Sequence, residues 1–563
     1  MSSQPETDRR PGGGPRRPAG HPVEVLDGAC RFSDDPQLTD PIWVIRELRR
    51  HRAFSQPLID ATTVSVWGKQ QRAAGSWALL YLGYVLSGQT SMRRFHDLHA
   101  SSPLWRECGF DEAPSYWTMR NRFEELEADG MVEAFEDCAG ALIRHAKTRE
   151  PGVGRYVDVD GTAFQVNSQL VHACPDRRAC LARSRAAKFL RGGGGDEVNA
   201  HRHALQAKPA DEMSDGDRLP ADVVGRLDGQ QVADLGLDDR YAWFRLGDHL
   251  YRSRDTSAGC RMLGGGTRRR KRFWHGGTAL AATDRLTGGR LAHQIIAADV
   301  NEHAAYPELI EGVQRATGHW PAAVGGDRAL SLDPVYLWNT QQAIGSAFPF
   351  RKRSAGDKRE DHDGEITDRH GVPRCKHCGG PGDVASPGLG FYRDGRGVPR
   401  VRFRCMLVHV DRCRAVQSRK CSDAPRDLQP LPRLTDTYMA LREGGLAAER
   451  THHHARDRYA LAGNDPHFRP RRTGLPAVRL RAAASLVLEW LRICLRQGWL
   501  TSTARRNTNS KRRVSGAHRL ARVLDARIRH RVDRPYGPAA VRLGLVDDDP
   551  PPDAPPDGDE IPF

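Results

Sequence analysis

Cysteine is sparse in this chain, and long apolar runs are missing. The 563 residues contain 12 cysteines, far fewer than the density of a short secreted domain held by disulfides, so that class of protein is excluded. No apolar run approaches the ~18 residues that a membrane-spanning helix needs. The start, M-S-S-Q-P-E-T-D-R-R-P-G-G-G, lacks the apolar segment of a signal peptide. These absences predict an intracellular protein without a membrane partner.

Negative charge is also in deficit. Lys and Arg total 86 against 70 Asp and Glu, which gives a formal charge of +16, and most of the cations are Arg, the better bidentate binder of phosphate. Such a balance predicts an acidic polymer as partner, with nucleic acid as the first candidate. A basic enzyme with no such partner is the alternative.

The length is too great for a single core and predicts several domains. Composition and periodicity divide the chain into six segments. They are a disordered basic arm at 1–22, a helical DNA-binding domain at 23–150, the first part of a mixed α/β domain at 151–354 with an irregular insertion at 169–265, a cysteine-containing insertion at 355–432, the final helices of the α/β domain at 433–500, and a mobile tail, basic and then acidic, at 501–563.

Two acids stand in an apolar, strand-like run, R-Y-V-D-V-D-G-T-A-F. Alternation with period two places Tyr156, Asp158 and Asp160 on one face of a strand, and Gly161 is expected to end it. A carboxylate at a strand end is costly unless it is paired, hydrogen-bonded or metal-bound. The run therefore indicates a carboxylate with a specific partner, of which a metal ion is one, and the alternative is a surface strand that leads into a D-G turn.

A second acid, Asp327, follows the short apolar strand A-A-V-G-G. Before it come the strands F-W-H-G-G-T-A-L-A-A-T-D and L-A-H-Q-I-I-A-A, joined by a Gly-containing hairpin, and a helix that starts near Asn301. A helix from about Ser331 and a further strand come after it. This order predicts a mixed three-layer α/β arrangement.

Cysteines cluster in the insertion. Cys375 and Cys378 form C-K-H-C, and Cys405 and Cys413 follow after a Gly-rich linker. Two thiolates three residues apart reach one tetrahedral ion, so the four cysteines predict a closed, structural zinc site, with unligated loop cysteines as the alternative. Substitutes for the last ligands are Cys421, His377 and His409.

Basic residues recur in the predicted helical domain. Ser115 is a plausible N-cap for a helix that carries Arg120 and Arg122, and a short helix with Arg93 and Arg94 precedes it. Two short helices around a turn suit a DNA-binding helical module. Any small helical bundle shows the same pattern.

A second basic cluster precedes the hairpin. Arg269, Arg270 and Lys271 stand beside Phe273 and Trp274, which combines phosphate-neutralising charge with a stacking surface. This combination predicts DNA contact, whereas a solvated charge run is the ordinary alternative.

The last acid motif is L-A-A-E-R-T-H-H-H-A-R-D-R-Y. A helix that begins near Leu446 carries Glu449 and Arg456 on one stripe. Glu443 is the rival acid, but the G-G after it places it at a helix end. The three consecutive histidines do not share a helix face and so do not indicate a metal site. A further helix from Val478 to Gln497 is expected to be amphipathic and to pack under the domain.

These segments, in this order, resemble the DDE transposases of bacterial insertion sequences. The resemblance rests on S-M-R-R-F...A-P-S-Y-W-T, V-D-V-D-G-T, S-R-D-T-S-A-G...T-D-R-L-T-G-G, G-G-D-R-A-L and E-R-T-H-H-H-A-R-D-R-Y-A-L, and it covers most of residues 75–460. It implies an α/β fold: a ribonuclease-H-like mixed sheet with flanking helices, an all-α N-terminal domain and a small zinc-ribbon-like β insertion.

The resemblance also implies roles for residues. Asp160, Asp327 and Glu449 match the three catalytic acids that hold two Mg²⁺ or Mn²⁺ ions. Arg328, Arg442 and Arg456 are expected to contact DNA.

The expected partners are terminal inverted repeats and target DNA, bound by a homodimer in the bacterial cytoplasm at the nucleoid. The alternatives are a catalytically inactive DNA-binding descendant and a stand-alone nuclease of the same fold.

Overall fold

The structure is a computed structural model. It describes residues 36–62, 74–126, 130–166, 171–173, 224–246, 249–263, 272–349, 366–367, 372–384, 389–405, 416–431, 438, 441, 459 and 474–500.

The N-terminal part is helical, as the apolar periodicity predicts. Its seven helices are α1 Pro41–Arg50, α2 Arg52–Thr62, α3 Ala74–Leu86, α4 Met92–His99, α5 Leu104–Glu107, α6 Tyr116–Leu126 and α7 Met131–Arg149. Side-chain caps fix several starts, because an oxygen at the N-cap satisfies a backbone N–H of the first turn. The N–H of Thr118 donates to Oγ of Ser115 at 3.1 Å, which confirms the predicted N-cap of α6.

A mixed sheet follows the helices. Its strands are β1 Tyr156–Gln165, β6 Gly259–Leu263, β7 Arg272–Asp284, β8 Arg290–Ala297, β9 Ala323–Gly326 and β10 Gly345–Ala347. The strand order is β10-β9-β1-β7-β6, and β8 also pairs with β7. The strands β1, β9 and β10 are parallel, whereas β7 is antiparallel to β1 and forms the predicted hairpin with β8.

Three helices accompany this sheet: α9 Glu302–Thr317, α10 Asp333–Gln341 and α11 Leu475–Arg496. The start of α9 after Asn301 confirms its prediction. One hydrophobic core joins the N-terminal helices to the sheet, and α11 packs against both α7 and β8. The described fold is thus a mixed α/β sheet with helices.

The prediction that α11 is amphipathic is wrong for most of the helix, because Arg481, Glu489 and Arg492 are buried, whereas Arg479 is exposed. Arg290 at the start of β8 donates from Nε to Oε2 of Glu489 at 2.7 Å and from Nη2 to Oγ of Ser485 at 2.8 Å. Arg492 is also buried and donates to the hydroxyl of Tyr459 at 3.2 Å. The polar stripe of this helix therefore faces partners inside the protein.

The prediction that Gly161 ends the first strand is also wrong. The parallel pairing of β1 with β9 stops at Val159, but the antiparallel pairing with the longer β7 continues through Gln165. Gly161 is retained inside a strand because the carboxylate of Glu302 lies 3.3 Å from the place of a Cβ.

The region predicted as an irregular insertion at 169–265 contains a second sheet. It comprises β2 Val171–His172, β3 Val224–Arg226, β4 Ala242–Leu246 and β5 His249–Ser253, in the order β2-β5-β4-β3, with the short helix α8 Gly229–Asp234 beside it. The predicted strand near Tyr241–Gly247 is confirmed as β4. Trp243, Phe244 and Tyr251 are buried, but the Arg residues among them on β4 and β5 interrupt the apolar pattern.

The cysteine-containing insertion forms a third sheet. Its strands are β11 Gly382–Asp383, β12 Gly390–Arg393, β13 Pro399–Cys405 and β14 Val416–Lys420, and β13 pairs with the other three. It has a small core of its own that includes Val401 and Phe403. Among its contacts with the main domain, Arg426 donates to Asp333 of α10 at 2.7 Å, and the N–H of Ser346 on β10 donates to Gln429 at 2.8 Å.

Candidate metal centres

The first two predicted acids lie side by side at one edge of the main sheet. The parallel register pairs Asp158 with Gly325 and Val159 with Gly326, so the next residue on each chain is Asp160 and Asp327. Neighbouring strands lie about 4.8 Å apart, and paired residues of parallel strands point to the same face. The fold therefore brings the backbones of Asp160 and Asp327 next to each other, although the two residues lie 167 positions apart in the sequence.

Both carboxylates are accessible. Asp160 is half-buried and its Oδ1 accepts the N–H of Gly161 at 2.9 Å. Asp327 is exposed, and its Oδ1 caps a short 3₁₀ helix by accepting the N–H of Ala329 at 2.8 Å. Two oxygen donors of this kind at an open edge suit a hard divalent cation that keeps several waters, and they leave room for a large substrate.

Directly beneath this edge lies a buried ion pair. Asp158 is 1% exposed, and Arg285, in the turn after β7, donates to its Oδ1 from Nε at 2.8 Å and from Nη2 at 2.7 Å. Burial raises the pKa of Asp158, and the charge of Arg285 opposes that shift. Among the described residues, Oδ2 of Asp158 has no hydrogen-bond partner. Removing either charge would leave the other one buried without its partner, which would destabilise the protein.

Gly325 of the G-G-D-R motif is glycine because of this pair. A Cβ at position 325 would lie 2.6 Å from Oδ1 of Asp158 and 3.2 Å from the carbonyl oxygen of Leu441. In the G-G-D-R motif, Gly325 thus lets the backbone approach the buried ion pair, and Asp327 follows two residues later.

The third predicted acid, Glu449, and its rival Glu443 lie outside the described residues, but the chain is fixed on both sides of them. Arg285 also donates from Nη2 to the carbonyl oxygen of Leu441, which packs with Tyr438 on Ala323 and Ala347 of the parallel strands. Beyond Glu449, the carbonyl oxygen of Tyr459 accepts a hydrogen bond from Nε of Arg481 on α11 at 2.6 Å. Residues eight before and ten after Glu449 are therefore tied to the same body as Asp160.

A second candidate centre lies in the insertion. The sulfur atoms of Cys375, Cys378 and Cys405 lie within 4.8 Å of one another, and this is the cluster of potential metal ligands found among the described residues. Sγ of Cys378 is 3.5 Å from Sγ of Cys405, close to the ~3.8 Å between sulfurs of a tetrahedral site with Zn–S bonds of ~2.3 Å. The three thiols can hold a metal ion such as zinc, which agrees with three of the four predicted ligands.

The environment of Cys375 favours the thiolate. Burial opposes its ionisation, but the backbone N–H groups of His377 and Cys378 and the side chain of Gln417 donate to the sulfur, and the pKa falls to about 6. Nε2 of Gln417 lies 3.0 Å from Sγ. Because a metal binds the thiolate and not the thiol, these donors prepare the site for a cation.

The fourth zinc ligand was predicted as Cys413, which lies outside the described residues, as does His409. The substitutes Cys421 and His377 are not in the cluster. Cys421 packs in the small core with Val372 and Phe403, and burial raises its pKa to about 12. It is therefore wrong as a ligand.

Of the arginines predicted to bind DNA on the helices, Arg93 and Arg120 are exposed and Arg122 is half-buried, and all three have acidic neighbours. Arg93 lies 3.5 Å from Asp97, Arg120 lies 3.0 Å from Glu124, and Arg122 pairs with Glu125; Arg94 is exposed on the same helix as Arg93. The described residues 91–126 hold five Arg against six acids. This surface thus lacks the basic excess of a typical phosphate-binding face.

Arg328 is exposed at the start of the 3₁₀ helix after Asp327, next to the carboxylate edge as the prediction requires. Five other predicted DNA contacts lie outside the described residues: Arg269, Arg270, Lys271, Arg442 and Arg456.

Two residues near the edge escaped the sequence reasoning. Arg285 gave a signal only as part of the quoted T-D-R-L-T-G-G turn. Glu302, at the first turn of α9, lies against Gly161 and pairs with Arg261 at 3.0 Å; it resembles any helix-start acid.

Comparisons of the chain with protein-family models, curated proteins and solved structures found no match. None of the described helices combines the length and the apolar character needed to cross a lipid bilayer.

Proposed function

We propose that this chain is a DDE transposase with a ribonuclease-H-like catalytic domain. It binds the terminal repeats of its own element, cuts DNA strands with water and joins the freed 3′-hydroxyl to target DNA. The observation that carries the proposal is the parallel register of β1 and β9, which sets Asp160 beside Asp327. The sheet, with its antiparallel hairpin on one side of β1 and its parallel strands on the other, fits the fold that the resemblance implies.

The acids divide the work of holding the cations. Asp160, on the central strand, would hold the ions together with Asp327 and Glu449. Two bound Mg²⁺ or Mn²⁺ ions supply an acidified water, stabilise the leaving oxygen and neutralise charge at the phosphorus. The accessible oxygens of Asp160 and Asp327 fit hard cations, and Arg328 and Arg456 are suited to contact the DNA phosphates.

The buried pair beneath the edge has a positioning role in this proposal. Arg285 joins Asp158 on β1 to the carbonyl oxygen of Leu441, and Leu441 precedes Glu449 by eight residues. One guanidinium thus connects the strand that carries the first acid with the segment that carries the third. Correct spacing of the acids matters because small misplacements of catalytic groups reduce rates strongly.

The thiol cluster has a different task. A zinc ion bound by Cys375, Cys378 and Cys405 with a fourth ligand is structural, because such sites are closed and four-coordinate. It holds the insertion sheet together and takes no part in strand cleavage.

Replacing Asp160 with Asn tests the function directly. We expect strand cleavage in Mg²⁺ or Mn²⁺ to be lost while binding to the terminal repeats is kept, because a metal ligand disappears with little change of shape. Asp137→Asn, at an exposed acid on α7, is the control and should cut normally. Unchanged cleavage by the Asp160 variant would reject the site.

The same assay separates the alternatives. Wild-type protein that binds its flanking repeats but never cuts them indicates the catalytically inactive descendant. Cleavage without strand transfer indicates the stand-alone nuclease.

A further inference from the structure

The central strand of the insertion sheet has two faces of opposite character. Along β13, Val401, Phe403 and Cys405 are buried, whereas Arg402 and Arg404 between them are exposed. Because side chains alternate along a strand, one face of this sheet lies on the small core and the zinc-type cluster. The other face turns to solvent.

Neighbouring strands add more cations to the exposed face. Lys420 on β14 and Tyr392 on β12 both lie opposite Arg400, and residues directly opposite each other share a face. The guanidinium of Arg402 lies 4.5 Å from the centre of the Tyr392 ring. We call Tyr392, Arg400, Arg402, Arg404 and Lys420 the basic face.

The charge of the insertion is one-sided. Its described residues contain ten Lys and Arg, four Asp and no Glu. On the basic face itself, Arg400 is paired with Asp394 at 2.7 Å, Asp383 lies opposite Arg404, and Asp423 accepts the backbone N–H of Lys420 at 3.2 Å. The four cations of the face thus exceed these three acids by one. Arg402 and Arg404 stand two residues apart, so their Cα atoms are ~7 Å apart along the strand, and each can contact a different phosphate of one nucleic-acid strand.

The contacts that join the insertion to the main domain lie away from the basic face. Arg426 is tied to Asp333, six residues after Asp327, and Arg393, whose partner Pro399 lies on the other side of the sheet from Arg400, donates to the carbonyl oxygen of Gln341 at the end of α10. The attachments thus use the inner face and the chain after β14. They leave the basic face open.

We infer that the basic face binds the phosphate backbone of DNA, and that the zinc-type cluster serves to hold this face rigid. Arginine matches phosphate geometry, and an aromatic ring beside a guanidinium adds a surface for stacking. The inference rests on the proposed function in taking DNA as the partner, but it requires no cleavage. It also differs from the predicted contacts on α4 and α6, where acids balance the arginines.

The test measures how DNA binding depends on salt. Full-length zinc-loaded protein is titrated onto a fluorescent random-sequence duplex in Ca²⁺, which supports binding without requiring turnover, at several salt concentrations. Each phosphate contact contributes about 0.9 to the slope of log K against log salt. The triple variant Arg402→Ala/Arg404→Ala/Lys420→Ala is therefore expected to lower the slope by about 2 to 3 and to retain its zinc.

The matched control removes three exposed arginines elsewhere, Arg52→Ala/Arg149→Ala/Arg254→Ala, and is expected to keep most of the slope. A wild-type slope in the basic-face variant, or an equal drop in the control, overturns the inference while the proposed function stands. Wild-type protein that binds no DNA overturns both. Should the alanine variant lose zinc, Arg402→Gln/Arg404→Gln keeps the side-chain length and must still lower the slope.

Discussion

The two candidate metal centres differ in ligand chemistry, exposure and support. The carboxylates of Asp160 and Asp327 lie at an accessible strand edge over a large core that joins helices and sheet. The thiols of Cys375 and Cys405 are buried in an insertion whose own core is small. Oxygen ligands at an open edge suit a cation that must meet a substrate, whereas a closed sulfur site suits a cation that holds a shape.

This difference predicts that the carboxylate centre depends on the fold for its geometry, whereas the thiol centre stabilises the fold of the insertion around it. The register of β1 and β9 and the Asp158–Arg285 pair place the carboxylates without any ion. The insertion buries too little apolar surface to be stable without help, as is usual for small modules. We therefore expect metal loss to leave the first centre folded and to unfold the second.

The largest expected effect follows from removing a thiol ligand. Cys375→Ser should abolish stoichiometric zinc binding and unfold the insertion, because structural zinc sites contribute about 10–16 kcal/mol to the folding of small modules. Zinc content by atomic emission, together with limited proteolysis that cuts within 355–432 and spares the remaining core, measures both effects.

The matched control for that variant is Cys421→Ser, which changes a buried cysteine of the same insertion outside the cluster. It should lower stability somewhat but keep the zinc. Equal zinc loss in both variants would contradict the assignment of the three ligands.

The second effect concerns the support beneath the carboxylate edge. Arg285→Met leaves the Asp158 charge unpaired in the core, and removing one partner of a buried pair costs about 3–5 kcal/mol. Unfolding in urea should show this loss, and the double variant Asp158→Asn/Arg285→Met should recover part of it.

An exposed ion pair provides the comparison. Arg240 donates from Nη2 to Asp238 at 2.7 Å, but its side chain is 82% exposed, and solvent screening leaves such pairs with little effect on stability. Arg240→Met should therefore be nearly neutral. A similar loss of unfolding free energy in both arginine variants would show that burial does not determine how much the Asp158–Arg285 pair contributes to stability.

Local patterns in the sequence predicted the elements that carry the site, but not the contacts beneath it. Alternation gave β1, a glycine-rich turn gave the β7–β8 hairpin, and Asn301 marked the start of α9. The pairing of Arg285 with Asp158 joins residues 127 apart in the sequence, and only the register of β1 with β7 reveals it. Neither residue type nor spacing announces such a partner.

The errors have the same origin. Gly161 resembles a strand end because the D-G signal is local, whereas the length of β7 determines that β1 continues. The charged residues of α11 resemble a solvent-exposed face in the sequence. The sequence does not show that Arg290 of a distant strand pairs with Glu489 inside the protein. Both centres could nevertheless be predicted in part from the sequence, because acids and cysteines rarely occur in strands and tight turns without a structural or functional role.

The third effect tests the close approach at the G-G-D-R motif. Gly325→Ala places a methyl group 2.6 Å from Oδ1 of Asp158, so the ion pair or the Leu441 segment must move, and overpacking of this kind costs about 1–3 kcal/mol. Thermal or urea unfolding should report the loss. At Gly229, in the first turn of α8, a Cβ meets nothing within 4 Å, and Gly229→Ala should be neutral or stabilising by up to about 1 kcal/mol.

The smallest effect concerns the acid sensitivity of the core that carries the carboxylate centre. Carboxylates and thiolates also release metal when they are protonated, so the response of a core group has to be measured separately. His293 on β8 is buried, with Nε2 3.8 Å from Glu136 of α7. Burial and the nearby charges of Arg290 and Arg479 lower its pKa to about 3. Its unfolded pKa is about 6.5, so the unfolded chain takes up a proton there that the folded protein does not, and the contribution of His293 to stability falls as pH drops from about 6.5 toward 3. The pKa of the neighbouring Glu136, which burial raises to about 7, acts in the opposite direction in the wild type and in the variant alike. Between pH 7 and pH 5 the loss from His293 amounts to about 2 kcal/mol.

His293→Gln has no such proton to bind, so its deficit in unfolding free energy relative to the wild type should shrink by that amount over the same interval. A deficit that is the same at pH 7 and pH 5 would show that His293 does not contribute to the acid response of the core.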